Sequence, residues 1–363
     1  MFRVPFPTMI FLRRFKAFPF AGCLPMAFHS FKQTTAVAVI LSFLFFNACL
    51  AGPSENGGKG HVCAVCGKAI DGQWVLADGQ QYHTTCFKEK IELRCTVCGK
   101  PINGVYAKDN QGVYHESCFK NTRLERCVIC NQPIEGDHLV DSWGQSSHHS
   151  HQGKQVMLCD SCGRIISPAS KSGFRYKDGR VICGICNATA VTHVKIIKPI
   201  LVELSKMLSS VGIGPVSPQI PVTLVDRMTL IRESRGNDKE NTRGFTKSII
   251  RIENGKTLSF QHRIFILHGL PMTEFKGVLA HEMIHVWLNE NRMKMSAQET
   301  EGFCNLGIFL VNEKERSDFA RVLQDQMEQN GDAIYGEGYR IMKFRLDSMG
   351  WPRLIAWVKN KSK

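Results

Sequence analysis

Cysteine recurs in this chain at a fixed step. Cys63, Cys95, Cys127 and Cys159 stand 32 residues apart, and Cys66, Cys98, Cys130 and Cys162 keep the same interval. Self-similarity at a constant period marks an array of small structural units. A second pair follows each first pair. His83 with Cys86 and His115 with Cys118 begin 17 residues after the preceding CxxC, the third unit offers His148 and His151 one residue later, and the fourth closes with Cys183 and Cys186. Two tight pairs of sulfur and imidazole donors suit tetrahedral zinc. A unit of about 30 residues buries too little apolar surface to fold alone, so the metal supplies the folding free energy. The expected ligand sets are Cys63, Cys66, His83 and Cys86; Cys95, Cys98, His115 and Cys118; Cys127, Cys130, His148 and His151, with His149 competing; and Cys159, Cys162, Cys183 and Cys186. A disulfide framework is the alternative in an exported chain, but imidazoles at matched spacing have no use in one.

The 15 cysteines are the large departure in an otherwise ordinary composition of 363 residues, and this length implies more than one folded region. The formal charge of +14 would suit a nucleic-acid binder. Part of it comes from Arg3, Arg13, Arg14, Lys16 and Lys32, in a stretch with no acid. The rest is scattered, without aromatics interleaved on a basic face, so nucleic acid is not the expected partner. Residues 36–46 (AVAVILSFLFF) have the length of a signal-peptide apolar region, and Cys49 and Ala51 are small enough to flank a cleavage site. Residues 1–52 are therefore read as a signal peptide or targeting segment, with Met26 as an alternative start. The run is too short for a stable transmembrane helix. Export to the periplasm or exterior is expected, with a lipid anchor at Cys49 as a variant. A cytoplasmic location follows if the segment is not a functional signal.

Residues 53–60 form a Gly-rich linker, modules 1 and 2 occupy 61–122, and modules 3 and 4 occupy 123–190. From 191 to 363 the cysteines nearly vanish. Residues 194–211 read as an amphipathic helix, 220–230, 246–252 and 261–268 as strands, and Asn254-Gly255 as a hairpin turn. From Thr273 onward helices follow, broken at Asn330-Gly331 and Gly350-Trp351-Pro352. Helices gathered after a small sheet predict an α+β domain.

The first long helix carries His281-Glu282-Met283-Ile284-His285. The i, i+4 spacing puts both imidazoles on one face, where they can share a metal. Phe275, Leu279, Met283 and Val286 are expected on the opposite face, in the core. Glu282 can take a proton from a water that zinc has acidified. A third ligand is needed, and the next helix offers Glu299 and Glu301. Ser296-Ala297-Gln298-Glu299 fits a capping box, which gives Glu299 a structural task and leaves Glu301 as the expected ligand. An oxyanion opposite the metal calls for a donor; Tyr335 is the first choice and Tyr339 the second. His262 and His268 are read as structural histidines, and Cys304 as a small buried hydrophobe.

Several separated segments resemble the LIM-domain, ubiquitin-activated zinc peptidases that limit organ growth in plants. They are Asp178-Gly179-Arg180, Thr242-Arg243-Gly244, Gly269-Leu270-Pro271, residues 279–288 around the histidines, Glu301-Gly302-Phe303-Cys304 and residues 335–340, within a span of about 63–356. The resemblance implies that His281 and His285 bind zinc, that Glu282 is catalytic, and that modules 3 and 4 form a divergent LIM-like pair. It further implies a selective endopeptidase of gluzincin type behind LIM-like modules that engage a protein substrate or activator. A signal-like segment stands where that family has a ubiquitin-interacting helix. Eight residues join modules 1 and 2 where a LIM domain has two. The longer join argues against rigid pairing of modules 1 and 2, ubiquitin activation is not carried over, and the chain looks like a bacterial relative with a different trigger. The rival expectation is a LIM-like adaptor whose peptidase domain is silent.

Overall fold

The computed structural model describes residues 2–5, 49–51, 61–151, 154–234, 242–253 and 256–362. The targeting segment expected over 1–52 thus lies largely outside the described residues. Among those described, no helix is long and apolar enough to cross a membrane. Two compact units emerge. One contains 61–126 with 132–136; the other contains 127–131 and 137–362, together with Phe2–Pro5.

In the first unit the repeat becomes a repeated knuckle. The Gly67 N–H donates to the Cys63 carbonyl at 2.8 Å, and the Gly99 N–H to that of Cys95 at 2.8 Å. Antiparallel hairpins then pair Trp74–Ala77 with Gln80–His83 and Tyr106–Asp109 with Gly112–His115, so each histidine ends a strand. The last cysteine of each set lies on the short helix that follows, Thr84–Cys86 or Glu116–Arg123. Each module closes over only a few apolar side chains, such as Val75, Tyr82 and Phe87 in the first and Tyr106, Tyr114 and Phe119 in the second. Cores this small need a staple.

The second unit repeats the knuckle twice, the Asn131 N–H donating to the Cys127 carbonyl at 2.8 Å and the Gly163 N–H to that of Cys159 at 2.9 Å. A short hairpin, Gly173–Arg175 with Val181–Cys183, precedes a turn of helix at Gly184–Asn187. A 3-10 turn, Val194–Ile196, leads into helix α1 (Ile197–Ser210), which buries Ile200, Leu201, Leu204 and Leu208 along one stripe. The strand expected over 220–230 is shorter. Strand β1 covers Val222–Val225 and stops because Asp226 accepts a bond from the Thr229 N–H at 2.7 Å, capping helix α2 (Arg227–Glu233). Strands β2 (Thr242–Glu253) and β3 (Lys256–Leu267) form a long antiparallel hairpin, β1 joins β3 in parallel, and Phe2–Pro5 pairs along the other edge of β2.

Helix α3 (Met272–Glu290) lies between this sheet and helix α4 (Ala297–Glu315). Phe275, Leu279, Met283 and Val286 are buried, but so are His281, Glu282 and His285. The four apolar residues lie in the core as expected, and the histidine face is buried as well because the helix has packing partners on both sides. Helices α5 (Asp318–Glu328) and α6 (Gly336–Lys359) complete the fold; α6 bends at Gly350, whose φ is 73°, with Pro352 just beyond.

The division expected after Ala190 falls inside this second unit. Its cause is a buried polar layer that long-range pairing alone reveals. Arg180 pairs with Asp178 at 2.9 Å and donates to the His268 carbonyl at 2.8 Å. Arg243 pairs with Glu274 on α3 at 3.2 Å and donates to the Asp160 carbonyl within the Cys159–Cys162 knuckle. The Val191 N–H adds a bond to the Leu270 carbonyl at 2.8 Å.

Candidate metal centres

The four repeat sets each bring four donor atoms within 4.8 Å of one another. A tetrahedral zinc requires about 3.8 Å between sulfurs and rather less between sulfur and nitrogen. Cys162 and Cys183 have their sulfurs 3.8 Å apart; Cys66 and Cys98 lie 3.4 and 3.3 Å from Nδ1 of His83 and His115. In both of those histidines Nε2 faces a carbonyl, Ala69 at 3.0 Å and Pro101 at 2.9 Å, which puts the proton there and leaves Nδ1 for the metal. In the third set Cys127 lies 3.2 Å from His151 Nε2 and Cys130 lies 3.6 Å from His148 Nδ1, and His149 takes no part in the group. Burial works against ionising Cys63, Cys95 and Cys127, but backbone N–H donors outweigh it and hold each thiol at about 6. A thiolate at neutral pH is what a zinc ligand must be.

At the fifth cluster, α3 and α4 meet. His281 Nε2 and His285 Nε2 are 2.9 Å apart, and Glu301 Oε2 lies 3.2 Å from the first and 3.5 Å from the second. The nitrogens and oxygen of a tetrahedral zinc site are separated by about 3.3 Å, so these three atoms fit one ion. Cys304 offers a competing cage with the two histidines. Its sulfur, however, lies 3.4 Å from His285 Nδ1, the nitrogen that faces away from the other two donors. Glu301 is therefore the better placed third donor to the two Nε2 atoms, and Cys304 stands behind the imidazole. Burial drives the histidines down to about 4 and about 3, so both are neutral and able to bind metal at pH 7.

The remaining residues sort by contact. Ser296 and Glu299 form the capping box of α4, and Glu299 also holds Lys361 at 2.9 Å. Glu282 is buried beside β2, where the Thr246 hydroxyl donates to its carboxylate. Gly244 allows this approach: a Cβ there would lie 2.6 Å from Val278 and 2.8 Å from Glu282 Oε1. Tyr335 caps the start of α6, and its carbonyl accepts from Asn305 Nδ2 at 3.1 Å. Tyr339 is fully buried and its hydroxyl is engaged by Gln324, so it is packed among the helices. His262 bonds Ser248 at 2.8 Å, and His268 packs edge-on to Tyr176. Sequence reasoning passed over Thr246, Glu274 and Asn305. Only Asn305 left a signal, lying four residues after Glu301 on the same helix.

A chain of Cys/His metal knuckles leading into a mixed helix-and-strand domain with a buried His/His/Glu cluster is thus the class defined by fold and site. Comparison with known proteins agrees. Residues 63–123 match the LIM domain family, and residues 238–317 match the DA1-like family, described as Protein DA1. Protein DA1 of Arabidopsis thaliana is 24% identical over 267 residues, covering 58% of this chain and 50% of that protein. Protein DA1-related 1 of the same plant is 25% identical over 251 residues, 53% of this chain and 45% of its own. LIM domain-containing protein HDR3 of Oryza sativa subsp. japonica is 25% identical over 193 residues, 46% and 38% respectively. The chain spans about half the length of the curated relatives it matches or less. It is a homologue of the Arabidopsis DA1 and DA1-related proteins, carrying a LIM domain and a DA1-like domain.

Proposed function

We propose that this chain is a zinc-dependent endopeptidase of gluzincin type that cuts selected protein substrates, with the LIM-like modules recognising a substrate or activator. The observation that carries the reading is the convergence of His281 Nε2, His285 Nε2 and Glu301 Oε2 within 3.5 Å of one another, beside the buried carboxylate of Glu282. A zinc ion held by those three groups would polarise a peptide carbonyl and acidify a water. Glu282 takes the proton from the attacking water and passes it to the departing amine. Tyr335 is the proposed donor to the developing oxyanion. The four Cys/His sets hold structural zinc, and the N-terminal segment directs export.

Glu282→Gln tests this directly. Cells making the wild-type chain gain new protein N-termini that cells making Glu282→Gln lack, while the variant keeps its zinc and its partners. Wild type that cuts nothing under any condition, yet holds a partner through its modules, is an adaptor instead.

A further inference from the structure

One turn of α4 presents three groups to the two imidazoles: Glu301, Cys304 and Asn305, at i, i+3 and i+4, a spacing that puts them on one helix face. Glu301 faces both Nε2 atoms. The other two face the opposite ring nitrogens. Asn305 Oδ1 lies 2.9 Å from His281 Nδ1, and the softer acceptor Cys304 Sγ lies 3.4 Å from His285 Nδ1.

A neutral imidazole carries one proton, and a metal binds only the bare nitrogen. Which nitrogen is bare on His281 can be settled from the far end of Asn305. Its other amide atom lies 3.1 Å from the Tyr335 carbonyl, which can only accept, so that atom is Nδ2 and the one facing His281 is the oxygen. An amide oxygen can only accept. His281 Nδ1 must then carry the proton, which leaves the Nε2 lone pair aimed at Glu301 and His285. His281 and Asn305 are both buried, so no water competes for either bond.

From this geometry we infer that Asn305 is a positioning residue: it locks the tautomer and ring angle of His281 for metal binding, and ties that ligand to the start of α6, where Tyr335 sits. The inference rests on the proposed function only in taking His281 as a zinc ligand. Asn305→Asp keeps the acceptor at nearly the same volume, whereas Asn305→Leu removes it. Partners of this kind typically change metal affinity about 10- to 100-fold.

The test uses the full chain and zinc alone. The zinc of interest is the one lost in a His281→Ala/His285→Ala control, and its affinity is read by competition with a chromophoric chelator. Asn305→Leu is expected to weaken that zinc about 10- to 100-fold, and Asn305→Asp to hold it within about threefold of wild type or more tightly. Cobalt placed in the same site should show a shifted visible spectrum in Asn305→Leu and an unshifted one in Asn305→Asp. Asn305→Leu binding zinc as wild type does overturns the inference. So does Asn305→Asp losing the metal, and that outcome remains readable if Asn305→Leu does not fold. A wild-type chain with no more zinc than the double-alanine control overturns the peptidase reading itself, and is seen before any Asn305 variant is compared.

Discussion

The Thr246 hydroxyl, on β2, donates to the Glu282 carboxylate on α3, and both groups are buried. The same hydroxyl lies 3.2 Å from the Glu282 carbonyl, but it has a single proton, and the nearer carboxylate takes it. A general base must point at its water, and a free carboxylate in a buried site has other rotamers to visit. Thr246→Val keeps the shape and removes the donor. Cleavage should fall about tenfold at unchanged zinc content, and Thr246→Ser should restore most of it. Equal rates for wild type and Thr246→Val, measured on one substrate, would remove Thr246 from the machinery.

Metal loss from the fourth set should reach the helix that carries the histidines. Arg243 spans from the Asp160 carbonyl in the Cys159–Cys162 knuckle to Glu274; Arg243 and Glu274 are buried, and Asp160 is half-buried. If Cys162→Ser lets the knuckle open, Arg243 loses the Asp160 carbonyl as its acceptor, and a hydrogen bond to a charged group contributes about 1.5–3 kcal/mol. The expected result is a lower melting temperature for the whole second unit, with faster amide exchange at 242–246 and in the first turn of α3. Exchange changes confined to 159–186 would show that the knuckle is energetically separate.

Some of this was legible in the sequence because metal chemistry demands fixed residues at fixed spacing. The ligand sets and the His281/Glu282/His285 triplet are local patterns, and Ser296 three residues before Glu299 was enough to set Glu301 apart. What stayed hidden depends on contacts across the chain. Thr246 lies 36 residues from Glu282 in sequence, and Arg243 lies 83 from Asp160. No periodicity encodes such a distance. The failure at 220–230 was local: alternating apolar residues continue past Asp226, but its carboxylate caps a helix and ends the strand there. The apolar face of α3 was legible, but burial of its histidine face depends on α4, which the helix's own sequence does not show.

Acid should destabilise the site when the His281/His285 metal is absent. Burial holds His281 at about 4 and His285 at about 3, whereas an unfolded histidine titrates near 6.5. Between those values the unfolded chain binds protons that the folded one refuses, so stability falls as pH drops through 6.5 and levels off below the folded values. At pH 5 each histidine would cost about 2 kcal/mol relative to pH 7. Urea midpoints at the two pH values, compared with those of His281→Leu/His285→Leu, should show a larger drop in the chain that keeps both imidazoles. An equal drop in both would place the acid sensitivity elsewhere.

The position of Glu301 depends on the residue beside it. At Gly302 a Cβ would lie 2.1 Å from the Gly338 carbonyl oxygen, and at Gly338 a Cβ would lie 2.4 Å from the Gln298 carbonyl oxygen. Helices α4 and α6 therefore touch backbone to backbone, and neither contact has a flexible side chain that could give way. Gly302→Ala must separate the helices, at a cost of roughly 1–3 kcal/mol. The separation moves the turn bearing Glu301 and Asn305 relative to α3, so zinc held with His281 and His285 should weaken along with stability. Gly331→Ala serves as the control, since a Cβ there meets nothing within 4 Å. Thermal melting and zinc competition on the two variants decide the matter. Equal stability would mean the helices have slack that the glycine contacts do not suggest, and lost stability with zinc affinity intact would uncouple the ligand from the packing that carries it.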